Sequence, residues 1–341
     1  MHTLQTSAKC SAAACALLNR RDPAAALRYF YEALMRGERP EVHVNERWTC
    51  WMLLGDFARA WRESDAVGAS FDREIMRNAK SVSVRCLRGF GDAIQFVRYA
   101  PALASNGGSV TVHAPRAFHP LLRRVKSIES VLTLEEKSIC DGDIECSDLP
   151  YFFRSTLDDI PPAADFAWSR AESSSDGDCR KLGIIWAAGE WNQARSLPVE
   201  YLRSLAEIPG ITLHSLQRWP QRPPERLPDF LQDLEAGEPD ILATAESIRR
   251  MDLVISVDTM VAHLAASLGK PVWLLLPRRA DWRWMLDRDD SPWYPGIRLV
   301  RQPHEGDWRS VVQITREMLS RSVMTRTSQS GWSNDCSSVI P

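Results

Sequence analysis

The segment Ser256 to His263 carries the densest group of reactive side chains in the sequence. An apolar, strand-like run would deliver Asp258 and Thr259 to the start of a helix. The free backbone N–H groups and the positive dipole end of a helix N-terminus favour a bound phosphate. His263 lies one helical turn beyond Thr259, so a hydroxyl and an imidazole can reach one anion. The alternative for His263 is a packed helical histidine without a ligand.

Three further junctions offer a carboxylate, a guanidinium and an amide. Gly91 and Asp92 follow the first predicted strand, where glycine permits close backbone approach, and Asp92 is either a functional carboxylate or a helix N-cap. Arg195 follows another strand in a glycine-bearing loop, as a phosphate clamp or a solvated surface residue. Gln217 follows a third strand, and its side-chain amide can form hydrogen bonds with a base or a ribose. These residues predict a site for a phosphate-bearing ligand.

The segments that position these residues alternate between strands and helices, which is typical of parallel α/β sheets. The first series predicts strands over 81–87, 109–113 and 128–134, with helices over 93–104 and 118–125. The second predicts strands over 182–186, 211–216, 253–257 and 272–276, with helices over 199–207, 261–268 and 308–319. Two such domains imply a cleft, and ligands of open α/β sheets bind outside the carboxyl ends of the strands.

The first 78 residues contain an internal repeat. Leu17-Leu18, Asp22 and Ala26-Leu27 recur as Trp51-Met52, Asp56 and Ala60-Trp61, at an offset of 34 residues. This period, with a small residue before a large one, is the tetratricopeptide signature, and the alternative is a pair of ordinary helical hairpins. Because two repeats cannot bury a continuous core, we expect them to lean on the next domain or on another chain.

The sequence therefore predicts five regions. They are tetratricopeptide-like helices over 1–78, a Rossmann-like domain over 79–170, a polar linker over 171–181, a second Rossmann-like domain over 182–320 and a disordered tail over 321–341.

Composition excludes several classes of protein. The 42 Lys and Arg nearly balance the 44 Asp and Glu, for a net charge of -2, so the basic footprint of a nucleic-acid binder is missing. Eight cysteines without a C-x-x-C pair indicate a reduced, cytoplasmic chain and no tetrahedral zinc site. No apolar run is long enough for a transmembrane segment. No strand is followed by G-x-G-x-x-G and a later acidic residue, which disfavours a dinucleotide-dependent oxidoreductase.

A family resemblance rests on several of these motifs together. They are Gly91-Asp92, Arg195-Ser-Leu-Pro198, Ser215-Leu-Gln217, the run from Asp258 to Pro271, Asp281-Trp-Arg-Trp284 and Ser291-Pro-Trp-Tyr294. The combination resembles glycosyltransferase family 9, the ADP-heptose:lipopolysaccharide heptosyltransferases, in a tetratricopeptide-linked branch. It covers residues 81 to 320. Met260 departs from the pattern because it stands where a glycine is common.

The resemblance implies an inverting, metal-independent glycosyltransferase of the GT-B fold class, with two Rossmann-like domains around donor and acceptor. Asp92 matches the general base of such enzymes. Gly91, Arg195, Gln217, Asp258, Thr259 and His263 would bind the nucleotide-sugar, with Arg195 in the position of a lysine that neutralises the leaving diphosphate. No cofactor or metal is expected beyond the donor, for which ADP-heptose is one candidate.

Two functions remain open from the sequence. The first is sugar transfer to a glycan or protein hydroxyl, in the cytoplasm or peripherally at the inner membrane. The second is a non-catalytic protein, either a tetratricopeptide scaffold or a nucleotide-sugar-binding protein. In either case the helical repeats would contact an acceptor, a protein partner or a second copy of the chain.

Overall fold

The computed structural model describes residues 2–105, 107–168, 179–217, 227–234 and 240–324. A helical region precedes two α/β domains, and each α/β domain contains one sheet whose paired strands are all parallel. This architecture fits the expected GT-B class. Residues 171–178 of the predicted linker (171–181) and residues 325–341 of the predicted tail (321–341) lie outside the described residues.

The N-terminal region consists of helices. They are α1 (His2–Asn19), α2 (Pro23–Met35), α3 (Val44–Leu53), α4 (Phe57–Val67) and α5 (Arg73–Asn78). The repeated aspartates are equivalent N-caps: Asp22 accepts the Ala25 N–H at 2.9 Å and Asp56 accepts the Arg59 N–H at 3.0 Å. The sequence repeat thus corresponds to two successive helical hairpins, while the tetratricopeptide assignment stays a prediction.

The first α/β domain contains a four-stranded sheet in the order β3-β2-β1-β4. Its elements are β1 (Ser81–Arg85), α6 (Phe90–Phe96), α7 (Ala100–Ala104), β2 (Ser109–His113), α8 (His119–Leu122), β3 (Ser130–Leu132), β4 (Gly142–Glu145) and α9 (Leu149–Phe152). The predicted helix over 93–104 is two helices joined by a 3-10 turn. The short acidic strand β4 was not predicted.

The second α/β domain contains a six-stranded sheet in the order β10-β9-β8-β5-β6-β7. Its elements are β5 (Arg180–Ile185), α10 (Arg203–Ala206), β6 (Ile211–Ser215), β7 (Gln232–Asp233), α11 (Ile241–Arg249), β8 (Leu253–Val257), α12 (Met260–Ser267), β9 (Val272–Leu276), β10 (Ile297–Arg301) and α13 (Trp308–Met324). Two predicted boundaries are wrong, since β5 begins inside the linker and α13 continues four residues into the tail. The prediction also lacked β7, α11 and β10.

The strand order reverses once in each sheet. From β1 the chain moves outward through β2 and β3 and then returns to add β4 on the other side of β1. From β5 it moves outward through β6 and β7 and then returns to add β8 on the other side of β5. Such reversal points open a crevice at the carboxyl ends of the strands, where ligands bind. The loops after β1 and β4, and those after β5 and β8, therefore define where a site belongs.

The helical region is part of the main core. Met52, Phe57 and Trp61 belong to the same buried apolar cluster as side chains from both sheets. The Trp61 indole donates to the Ser155 carbonyl at 2.7 Å, and the Leu286 N–H donates to the Leu53 carbonyl at 3.1 Å, so the helices contact both α/β domains. The helical region before residue 78 thus packs continuously against the α/β domains that follow it. Among the described helices, none combines the length and the apolarity that a bilayer span requires.

Candidate active site

Asp92 lies in the first turn of α6. The N-cap of this helix is Gly89, and the Asp92 Oδ2 accepts the Gly89 N–H at 3.1 Å from the third helical position. The alternative that Asp92 is itself the N-cap is therefore wrong. A carboxylate at this position satisfies an otherwise unpaired donor and interacts favourably with the helix dipole. The side chain remains 19% exposed, so a ligand can reach it.

Arg283, from the loop after β9, holds the other oxygen of Asp92. Its Nη2 donates to Asp92 Oδ1, its Nη1 donates to Asp281 at 2.8 Å, and its Nε donates to Gln95 at 2.8 Å. The guanidinium also packs over the rings of Phe96 and Trp282. Because Asp92 and Arg283 come from different α/β domains, this ion pair joins the two halves of the molecule.

Asp258 and Thr259 connect β8 to α12. Thr259 is the N-cap of α12 but its hydroxyl makes no capping hydrogen bond, and it lies 3.3 Å from the Ser256 hydroxyl. Asp258 Oδ2 lies 3.4 Å from Arg195 Nη1, and both side chains are largely buried. Burial, followed by the charge of Asp281, raises the pKa of Asp258, whereas Arg195 acts in the opposite direction.

His263 is buried and uncharged at neutral pH. Its Nδ1 lies 3.1 Å from the Tyr294 hydroxyl, and its Nε2 lies 3.9 Å from Asp258 Oδ1. Burial, reinforced by the positive charge of Arg283, lowers the pKa of His263 to about 3. His263 can therefore offer a hydrogen bond to a ligand but not a positive charge.

Gly91 allows the N-termini of α6 and α12 to pack closely together. A Cβ built at Gly91 would lie 2.9 Å from Cδ2 of His263, which is closer than such contacts occur. Only glycine fits this position without displacing the imidazole. The start of α6 in one domain thereby packs against the first turns of α12 in the other, as required if both are to face one ligand.

Gln217 has a different position from the other predicted residues. It is buried, its Oε1 accepts the Trp186 and Ala187 N–H groups at 3.1 and 2.9 Å, and its Nε2 donates to the Ala187 carbonyl at 3.0 Å. The amide thus fixes the loop that follows β5. Gln217 is not among the residues that line the cavity described next.

All the other predicted residues line one cavity of about 1010 Å³. Its lining from the α/β domains includes Arg88, Gly89, Phe90, Gly91, Asp92, Gly189, Arg195, Asp258, Thr259, Met260, His263, Asp281, Trp282 and Arg283. Residues of α3, α4 and the loop after α4 form a further wall. Sequence reasoning noted Asp281 and Arg283 only as parts of a motif. It missed the pairing of Arg283 with Asp92, which a tryptophan-flanked arginine between the last predicted strand and the closing predicted helix does not reveal.

The functional side chains that line this cavity from the α/β domains carry carboxylates, guanidinium groups, a hydroxyl and the His263 imidazole. In the described part of the chain, no three His, Cys, Asp or Glu side chains are grouped so that they could hold a metal ion. The cysteines that the structure describes are free thiols.

Comparisons with known proteins gave matches among solved structures alone. No family model and no curated protein matches the sequence. The chain is similar to the E. coli heptosyltransferase WaaC with ADP-2-deoxy-2-fluoro heptose, at 13% identity and a TM-score of 0.49, over 71% of this chain and 99% of WaaC. It is similar to E. coli ADP-heptose LPS heptosyltransferase II at 14% identity and a TM-score of 0.47, over 73% of this chain and 100% of that chain.

A third similar structure is the iron-containing dodecameric glycosyltransferase TibC from enterotoxigenic E. coli. It has 13% identity and a TM-score of 0.46, over 72% of this chain and 75% of TibC. The structural matches therefore include heptosyltransferases, the same class of enzyme whose sequence motifs this chain resembles. At these identities and scores, no substrate or activity passes from them to this chain.

Proposed function

We propose that the protein is an inverting glycosyltransferase that moves a sugar from a nucleotide-diphosphate donor to an acceptor hydroxyl, without a metal ion. A single observation carries the proposal: one cavity joins Asp92 from the first α/β domain to Arg195, Asp258 and Thr259 from the second. A carboxylate on one side and anion-binding groups on the other are the two parts that such a transfer needs.

Asp92 is the proposed general base. Each oxygen of its carboxylate accepts one hydrogen bond, from Arg283 or from the Gly89 N–H, and each keeps a further acceptor position. The acceptor oxygen attacks the anomeric carbon and gives its proton to Asp92, while the bond from that carbon to the diphosphate oxygen breaks. General-base assistance of this kind contributes ~100 to 10,000-fold in rate. Attack opposite the leaving group inverts the anomeric centre.

The diphosphate is the leaving group, and it departs with the electron pair of the broken bond. We expect its growing charge to be stabilised by Arg195, by the N-terminus of α12 and by the Thr259 hydroxyl, which makes no capping hydrogen bond. The distance of 3.4 Å between Arg195 and Asp258 is long for a charge-assisted hydrogen bond, so a phosphate oxygen can compete for the guanidinium. His263 supplies a hydrogen bond from a neutral ring.

The proposed anion site favours a nucleotide-diphosphate sugar as the donor. ADP-heptose is the first candidate to test, because the sequence motifs resemble those of ADP-heptose heptosyltransferases. The helical region supplies a wall of the cavity that Asp92 also lines, which favours acceptor recognition as its role.

The test combines binding with turnover. ADP-, UDP- and GDP-sugars are screened by thermal stabilisation, where a ligand at 100 times its dissociation constant adds about 2.7 kcal/mol. The stabilising donor is then incubated with glycan and peptide acceptors, and nucleotide-diphosphate release is followed for wild type and Asp92→Asn. We expect stabilisation of both proteins and release by wild type alone. If no nucleotide-sugar stabilises the chain, the proposal fails and the non-catalytic scaffold is favoured.

A further inference from the structure

A group of arginines lies where the turn between α1 and α2 meets the second α/β domain. Arg278 follows β9, and Arg301 is the last residue of β10, which pairs with β9 along its whole length. Both therefore lie at the carboxyl ends of neighbouring parallel strands, where open α/β sheets bind ligands. Arg21, from the α1–α2 turn, donates to the Arg278 carbonyl. None of the three arginines lines the cavity that contains Asp92.

These guanidinium groups donate to backbone carbonyls. Arg278 Nη1 donates to the Pro303 carbonyl at 2.6 Å. Arg301 Nε donates to the Arg288 carbonyl at 3.3 Å, and its Nη2 donates to the Trp284 carbonyl. Among the residues that the structure describes, no carboxylate oxygen lies within 4.0 Å of a nitrogen of the three arginines. A carbonyl oxygen accepts a hydrogen bond but carries no full negative charge, so the three arginines keep their positive charges without a paired acid.

The three charges lie close enough to act on one another. Burial, followed by the charge of Arg278, lowers the pKa of Arg21. Burial, followed by the charge of Arg21, lowers the pKa of Arg301 to about 10, so Arg301 is still protonated at neutral pH. Asp287 is the carboxylate that acts against both shifts. The arginines therefore form a single cluster of like charge around one exposed acid.

The neighbouring acids leave this cluster positive. Arg288, whose charge also acts on Arg301, is neutralised by a two-point contact with Asp290 at 2.6 and 2.8 Å. Asp287 offsets one of the three remaining guanidinium charges and leaves two of them unbalanced. In the described part of the chain, Arg301 Nη1 is moreover buried without a hydrogen-bond acceptor. A dianion would supply both the missing negative charge and several acceptor oxygens.

We propose that Arg21, Arg278 and Arg301 form a separate anion site that binds a dianionic phosphate group. All three residues are partly exposed, so a phosphate can approach from solvent. Guanidinium groups match phosphate oxygens in charge and geometry, and a phosphate monoester carries about −1.5 to −2 charges at neutral pH. The source is either free phosphate or a phosphomonoester of a larger ligand. Because Arg21 belongs to the helical region, the bound phosphate connects that region to the second α/β domain.

Phosphorus NMR on the full chain tests this site. Inorganic phosphate and glycerol 3-phosphate are titrated separately at constant ionic strength, and their affinities are obtained from the phosphorus line widths. We expect the wild type to bind at least one of them. Stronger binding of inorganic phosphate would assign the site to the free ion, and stronger binding of glycerol 3-phosphate would assign it to a phosphomonoester.

Two substitutions to asparagine change the cluster in opposite directions. Arg21 (φ 66°) and Asp287 (φ 50°) both adopt left-handed backbone conformations, which asparagine tolerates. Arg21→Asn should weaken phosphate binding at least about tenfold, because a charge-assisted hydrogen bond is lost. Asp287→Asn should strengthen it roughly two- to fivefold, because the opposing carboxylate is removed. Arg20→Asn, at an exposed position on the same turn, is the matched control and should change the affinity little.

Arg195→Gln distinguishes this site from the proposed donor site. Phosphate binding that is lost in Arg195→Gln but equal in wild type and Arg21→Asn would overturn the arginine site. Absence of binding to wild type would overturn it too, as would an affinity of Asp287→Asn no higher than that of wild type. If Arg21→Asn fails to fold in a thermal melt, the comparison of Asp287→Asn with wild type decides. Because the cluster shares no residue with the proposed sugar-transfer site, these results do not depend on whether the protein transfers a sugar.

Discussion

Two aspartate–arginine pairs face the same cavity but differ in construction. Asp92 and Arg283 cross between domains, and the guanidinium is held by two carboxylates and an amide. Asp258 and Arg195 lie within one domain at 3.4 Å, and Asp258 is more deeply buried than Asp92. A tightly fixed, reachable carboxylate suits proton transfer. A guanidinium that lines the cavity beside a helix N-terminus suits an arriving diphosphate.

The largest expected effect separates the roles of the two carboxylates. Asp92→Asn keeps a hydrogen-bond acceptor for the Gly89 N–H but cannot take a proton. Turnover should fall ~100-fold or more, mainly in kcat, and the melting temperature should fall as well, because the single amide oxygen cannot accept from both Gly89 and Arg283. Steady-state kinetics with the stabilising donor measure this. A kcat near that of the wild type would show that Asp92 is not the general base. The Asp92–Arg283 pair would then have no catalytic role that distinguishes it from the Asp258–Arg195 pair.

The next effect tests whether Arg283 acts through Asp92. Loss of a charge-assisted hydrogen bond in Arg283→Gln should lower kcat roughly 10- to 100-fold, with the donor KM nearly unchanged. Added to Asp92→Asn, the same substitution should cost little more, because residues that act as a unit are not additive. Arg279→Gln, at an exposed position on the same loop, is the control. Losses that multiply in the double variant would show that Arg283 contacts substrate independently.

The smallest effect concerns stability against pH. The pKa of His263 in the folded protein, about 3, lies below its value in the unfolded chain, so the stability it contributes is complete above about pH 6.5 and is lost as pH falls. Between pH 6.5 and 5.5 the loss should be about 1 kcal/mol. The raised pKa of Asp258 works in the opposite direction, which makes the difference from His263→Gln the informative quantity.

Urea unfolding at several pH values measures this slope. His263→Gln should unfold with a flatter pH dependence than wild type, and the exposed His304→Asn variant should match wild type. Equal slopes for wild type and His263→Gln would mean that His263 is not buried in its neutral form.

Local patterns predicted the strands better than the contacts between domains. β2, β8 and β9 lie where the sequence placed them, because their alternating or continuous apolar runs are local signals. β4 and β10 were missed, since Gly142–Glu145 carries two acidic residues and Ile297–Arg301 two arginines in five positions. A short polar strand becomes recognisable only beside its neighbour in the sheet.

The site shows the same limit. Asp92, Arg195, Asp258, Thr259 and His263 were found from their positions after strands, and the structure brings them to one cavity. The ion pair of Arg283 with Asp92 spans 191 residues of sequence, and no local pattern encodes it. Gln217 occupies a comparable junction, yet its amide is directed into the protein, because spacing alone does not determine which way a buried side chain points.

Calorimetric titration of nucleotide-sugars into wild type, Asp92→Asn and Arg195→Gln tests the central claim most directly. We predict that at least one donor binds wild type, binds Asp92→Asn within about twofold, and binds Arg195→Gln at least about tenfold more weakly, as the loss of a charge-assisted hydrogen bond implies. Failure of every nucleotide-sugar to bind wild type, or equal affinity for wild type and Arg195→Gln, would contradict the assignment of this cavity to a sugar donor.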